Sequence, residues 1–194
     1  MFIVVAIVTG IAIGLLRGGR FENLGAATFR LWPLLVLGVV VQGAAAFMAN
    51  GAVALVLASY AILVLFAAVN IHHAGMGVVL VGVALNFVVI AANSGMPVRA
   101  DAIVAAGIEK PSAIQNLDFG SKRHLERPDD RLTVLGDIIP VPAAGEVLSF
   151  GDLAMAVGVS TVLVGLLRRR STRAVGADQV SRLRRRGSAS PENG

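Results

Sequence analysis

The sequence predicts an all-α membrane protein: a five-helix transmembrane bundle with a long, partly ordered outer-face segment and a disordered cytoplasmic tail. Three observations carry this prediction. Hydrophobic residues make up 56% of the 194 residues and charged residues only 15%, with a mean hydropathy of +0.77, whereas soluble domains are about a quarter charged. From Leu31 to Val98 there is no Asp, Glu, Lys or Arg, a run long enough for three passes of about 20 apolar residues each. Basic residues cluster from Arg168 onward, as RRRSTR and RLRRR, while residues 94–151 carry more acidic than basic side chains.

The elements follow in order. MFIVVAIVTGIAIGLL lacks the positive n-region of a secretory signal, and its nearest charges, Arg17 and Arg20, follow the apolar run; it reads as a retained first helix. Leu31 to Ala49, Ala52 to Asn70 and Gly75 to Ala92 supply the next three, so residues 1–93 hold four spans. The uncharged Asn50-Gly51 and the His72-His73 pair form their turns. Gly95 and Pro97 stop the fourth helix. Residues 94–151 form the extracytoplasmic or interfacial segment, with a short amphipathic helix at Ala102 to Ala106. A connection this long in a small chain is functional or disordered, and its interleaved Ile, Leu, Val and Phe argue for order against the membrane surface. Residues 152–167 are the fifth span, and 168–194 the basic tail, ending in GSASPENG.

Charge sets the orientation. By the positive-inside rule the tail is cytoplasmic. Counting back, the linker with Arg17, Arg20 and Arg30 also falls inside, and the N-terminus and residues 94–151 fall outside. The arginines of the tail fix topology and meet anionic head groups. No aromatic or fold signature accompanies them, so nucleic acid is not an expected partner; membrane lipids are, and a membrane-protein partner is the other class. The uncharged run from Leu31 to Val98 offers no buried charge for ion coupling, which argues against a transporter.

Gly10 and Gly14 have the small-xxx-small spacing that lets helices approach, expected here within the chain's own bundle. Gln42, Asn70 and Asn86 are polar exceptions that need hydrogen bonds across helices. Cysteine is absent, which removes disulfides and thiolate sites. His124 lies in KRHLERPDD among carboxylates, a setting for a metal ligand, a proton carrier or a solvated polar loop. Without an HxH or HxxxH pairing the loop is the expected reading, and neither metal nor cofactor is expected.

LGDIIPVPAAGEVLSFGD, Leu135 to Asp152, is the stretch richest in chemistry. Ser149-Phe-Gly-Asp152 matches a capping box at the start of a helix, with Ser149 as N-cap. Asp137 is a lone carboxylate in an apolar segment at the membrane boundary, where ionisable groups are expensive and often functional. Brought together, two such carboxylates share a proton. One can then act as base on a water while the other polarises a carbonyl.

The combination NSGMPV, KRHL, DDRLTVLGDIIPVP and SFGDLAMAVG resembles an uncharacterised family of bacterial multi-pass membrane proteins. That resemblance covers most of the chain and implies an integral protein of the bacterial plasma membrane. DRLTVLGDII with SFGDLAMAVGVSTVL is also similar, over about the last third of the membrane domain, to the C-terminal part of lipoprotein signal peptidase. This second resemblance implies that Asp137 and Asp152 are a catalytic pair and Arg131 a supporting residue. Ser149 stands where that family has Asn, and Asn93-Ser-Gly95 does not match the position of its early Asn-x-Gly motif. With His124 these complete the candidate site. The expected function is a non-catalytic binding or scaffold module that recognises a lipid or protein partner through the outer segment. The alternative is a membrane-embedded aspartyl hydrolase using Asp137 and Asp152 on the outer face.

Overall fold

In hydrocarbon an unpaired backbone polar group costs several kcal/mol, so an apolar chain closes its hydrogen bonds within helices. The computed structural model of the chain, which describes residues 2–45, 47–48, 52–117, 119–120 and 122–168, follows this rule. Its apolar helices are α1 (Phe2–Leu16), α2 (Trp32–Ala45), α3 (Ala52–Val69), α4 (Met76–Asn93) and α6 (Phe150–Arg168), with the short α5 (Ala100–Ala105) between α4 and α6. Three of them, α3, α4 and α6, have 18, 18 and 19 residues and are long and apolar enough to cross a membrane. The other two, α1 and α2, are shorter, at 15 and 14 residues. The Asn50-Gly51 turn and the tail beyond Arg168 lie outside the described residues.

The five apolar helices stand in a row, in the order α2, α3, α4, α6, α1, each packed chiefly on its neighbours. Only 33–39% of each long helix is buried, so most of its apolar surface is left uncovered by the chain itself. Because lipid chains are as apolar as leucine, close packing of small residues must hold such helices together. A Cβ on Gly82 of α4 would stand 2.6 Å from the carbonyl oxygen of Gly151 on α6, and one on Gly158 of α6 2.6 Å from Val79 of α4. Gly10 serves the α1–α6 contact in the same way, its Cβ position lying 2.7 Å from Ser160 Cα, and Gly14 packs on Leu167. The Gly10-xxx-Gly14 spacing is thus used inside the bundle.

One device recurs at the C-terminal ends of the neighbouring helices α3 and α4. Asn70, just past α3, accepts from Arg30 N–H (2.8 Å) and donates to the carbonyls of Arg30 (2.8 Å) and Phe66 (2.9 Å). Asn93, at the end of α4, accepts from Arg131 N–H (2.7 Å) and donates to the carbonyls of Arg131 (2.8 Å) and Val89 (3.0 Å). In both places the next residue, Leu31 or Leu132, has positive φ (53° and 54°). Its carbonyl then accepts a turn bond from Leu34 or Leu135. A left-handed leucine costs about 1–2 kcal/mol, and the two-point grip on the preceding peptide offsets it. These amides also meet helix-end carbonyls that would otherwise lack partners.

The segment between α4 and α6 folds into a small cap. Besides α5 it holds four three-residue strands that the sequence reading did not foresee: β1 (Met96–Val98), β2 (Arg123–Leu125), β3 (Ile139–Val141) and β4 (Glu146–Leu148). Three residues are too few to display the alternation by which strands are recognised. β1 pairs in parallel with β2, Pro97 opposite His124, and β3 pairs antiparallel with β4. The other edge of β1 is taken by Asp137, which donates N–H to Pro97 O (2.9 Å) and accepts at its carbonyl from Arg99 N–H (3.0 Å). Val98, Ala102, Ile103, Ala106, Ile114 and Val147 form the cap's core.

Replacing Asn93 by Ala leaves the Arg131 N–H and two carbonyls without their partner. The expected loss is about 1–3 kcal/mol, read as a lower thermal midpoint of the detergent-solubilised protein. An unchanged midpoint would show that the grip contributes nothing.

Candidate functional site

Asp137 is held in place by its own backbone, which is the third rung of the β1 sheet, and its side chain turns inward, 1% exposed. Nε of Arg123, from β2 across the sheet, stands 2.8 Å from Oδ2. Beyond this ion pair neither carboxylate oxygen receives a hydrogen bond. Burial pushes the Asp137 carboxyl up to about 7; Arg123 opposes the rise, the negative charge of Asp152 adds to it, and Lys122 opposes it.

Asp152 sits in a different setting. Ser149 N–H donates to its Oδ2 (3.1 Å) and its own N–H donates to Ser149 Oγ (3.0 Å), so the capping box read from the sequence is formed at the start of α6. The helix accordingly begins at Phe150, two residues ahead of the expected start. Its other oxygen, Oδ1, accepts from Asn86 Nδ2 of α4 (2.9 Å), and Ser149 Oγ donates to Asn86 Oδ1 (2.9 Å). Asn86 and Ser149 are 1% and 0% exposed. Both oxygens of Asp152 are therefore committed to protein donors, and the node they form ties α4 to α6 and to the cap.

The remaining candidates take structural places. Asn93 grips the Arg131 backbone as described, while the Arg131 residue is exposed. His124, in strand β2, pairs through Nε2 with both oxygens of Asp130 (3.1 and 3.0 Å), and Asp130 also accepts from Arg127 N–H (2.8 Å). With side chains 11% and 4% exposed, this is a largely covered pair in place of the solvated loop expected of KRHLERPDD. Among the described residues no three His, Asp or Glu side chains are grouped to hold a metal ion.

The structure adds a cavity of about 230 Å³ in the cap. Val98, Ile103, Ile108, Leu117, Phe119 and Val147 give it apolar walls, and Arg123 and Glu146 also line it. Glu146 accepts from the N–H of Phe2 (3.3 Å), which sets the cavity over the first residue of α1. Arg123 and Glu146 escaped the sequence reading. Arg123 was visible only as one charge in KRHL, and nothing local to it indicates a buried partner 14 positions later.

A family model matches residues 21–164. The chain belongs to DUF5317, a family of unknown function. No curated protein and no solved structure matches it. The family's span thus takes in α2 to α4, the whole cap and most of α6 of this DUF5317 protein, and leaves α1 and the basic tail outside.

The raised carboxyl of Asp137 couples stability to pH. Between about pH 4 and 7 the folded DUF5317 chain keeps a proton on Asp137 that the unfolded chain, with an ordinary value of 3.8, has released. More protons bound in the folded state means that stability falls as pH rises through this window, then levels above 7. Relative to Asp137→Asn, wild-type protein is expected to lose stability from pH 4 to pH 8, by at most about 4 kcal/mol. Parallel midpoint-versus-pH curves for the two would contradict the assignment.

Proposed function

We propose that this protein is a five-pass component of the bacterial plasma membrane whose outer cap is a non-catalytic module that binds lipid. The N-terminus and the cap lie outside and the C-terminus lies in the cytoplasm. The observation that carries the binding reading is the cap cavity: an apolar space set over the start of α1, with an arginine and a glutamate among its lining residues. Ligand sites are concave and largely apolar, with a few placed polar groups. Several large apolar side chains of the cap are also exposed, among them Ile108, Leu132 and Val134, which suits a cap resting on the membrane surface.

Orientation is supported by charge. Arg20 N–H and Asn23 Nδ2 both donate to the Leu167 carbonyl (2.9 and 2.6 Å), so the linker with Arg17 and Arg20 lies at the end of α6 remote from the cap. Arg30 is gripped by Asn70 beside it. Basic residues at the end opposite the cap are what the positive-inside rule asks of a cytoplasmic face.

A second reading, hydrolysis by Asp137 and Asp152, is favoured by one observation: the negative charge of Asp152 helps to raise the Asp137 carboxyl to about 7, within the range useful for proton transfer at neutral pH. The engagement of both Asp152 oxygens and the ion pair of Asp137 with Arg123 weigh toward structural roles. Cleavage of a membrane-anchored peptide by the purified protein, lost in both Asp137→Asn and Asp152→Asn, would reverse this preference.

Because the chain has no cysteine, orientation is directly testable. Ser112→Cys is expected to react with a membrane-impermeant maleimide on intact cells, and His72→Cys only after permeabilisation. The opposite pattern would invert the topology.

Lipid binding is tested by native mass spectrometry after gentle solubilisation. A retained lipid-sized adduct is expected on wild-type protein and at least tenfold less on Ile108→Trp, which fills the cavity from its lining, with the thermal midpoint unchanged. Wild-type protein that runs bare removes the basis of the reading.

A further inference from the structure

Arg123 is shared between two surroundings. Its Nε holds the buried Asp137 carboxylate at 2.8 Å, yet its side chain is 37% exposed and Arg123 lines the cap cavity. Among the described residues its two terminal amino groups have no acceptor. A guanidinium is a planar fork that binds carboxylate or phosphate through two parallel bonds, so Arg123 has donors to spare for a second anion. Asp137, for its part, has no hydrogen bond to keep it charged once Arg123 turns away, and a buried carboxylate without a partner takes up a proton.

We infer that the cavity takes a single-chain anionic lipid, its head paired with Arg123, and that Asp137 takes up one proton as the head replaces it on the guanidinium. This rests on the lipid-binding reading above and names the ligand class and its control. Charge balances: an ion pair and an anion become a neutral acid and a new ion pair, with the proton drawn from water. The size of the space fits one short chain. A cavity of about 150 Å³ accepts benzene, six carbons, so about 230 Å³ has room for roughly nine.

The groups that face Asp137 fit the exchange. Arg123 and Lys122 favour its charged form; Asp152, at the start of α6, disfavours it. Tyr60 of α3 also senses the Asp137 charge. The segment after β1 contributes only backbone, the Arg99 N–H to the Asp137 carbonyl, because the Arg99 side chain is engaged by Glu126 at 3.6 Å and Asp101 at 4.0 Å. Glu146, on the cavity wall, is within electrostatic reach of Arg123. With Asp137 titrating near 7, affinity for an anion should weaken about tenfold between pH 6 and pH 8.

The test is calorimetric titration of the full chain in lipid nanodiscs with octanoate and with octanol, against empty nanodiscs, at pH 6 and 8. Octanoate is expected to saturate at least tenfold more tightly than octanol. Its affinity should fall about tenfold from pH 6 to 8 in wild-type protein and stay constant in Asp137→Asn, and Arg123→Gln should lose it. Repeating the wild-type titration at pH 8 in two buffers of different ionisation heat reads proton uptake directly, which covers the case of a variant that does not fold. Octanoate affinity that is independent of pH, unaccompanied by proton uptake or preserved in Arg123→Gln overturns the inference. Equal binding of octanoate and octanol does so too, while leaving lipid binding intact. Saturable binding of neither amphiphile overturns both.

Discussion

The fold depends on a few buried amide side chains that close hydrogen bonds where helices end. Within an apolar helix every backbone group except those at the ends is met, and at a membrane boundary water is an unreliable substitute. Asn70 and Asn93 sit at such ends, Asn86 lies within α4 against the start of α6, and all three are buried. Two of them grip the backbone of an arginine, and the third ties Ser149 and Asp152 to α4. Remove these and the glycine-lined helix contacts would still be favourable, but nothing would set where the connecting segments and the cap attach.

The attachment positions a charge in a costly place. Because Asn93 fixes Arg131 and β1 follows directly on α4, the chain returning through 133–137 adds Asp137 as a rung beside β1. That register turns the carboxylate into the cap interior, against Arg123 alone. Burying a carboxylate with a single counter-ion and no further donors is poor design for stability. It is a reasonable design for a group whose partner is meant to be exchanged, as we infer for the cavity that Arg123 lines.

The two aspartates that the sequence sets side by side in one motif therefore have unlike roles. Asp152 is satisfied, exchanging bonds with Ser149 and Asn86, and serves the helix start. Asp137 is under-satisfied and titratable. Their similarity in sequence, each after a glycine and each beside apolar residues, comes from the small residue needed for close packing and not from shared chemistry: the Cβ of a residue at 136 would meet the Pro97 carbonyl, and one at 151 would meet Asn86.

Composition by itself determined the apolar helices and their approximate limits, because an apolar backbone closes its hydrogen bonds within helices and each helix announces itself locally. The capping box at Ser149 and Asp152 was equally legible, since donor and acceptor lie three residues apart. What only the tertiary structure decided is everything that joins distant residues. The row order of the helices, the cap strands, the His124–Asp130 pair, the Asn93 grip on Arg131 and the Asp137–Arg123 contact all depend on chain segments meeting in space. A three-residue strand has no readable period, and an ion pair between positions 123 and 137 leaves no mark in either neighbourhood; its geometry exists only once β1 lies between them.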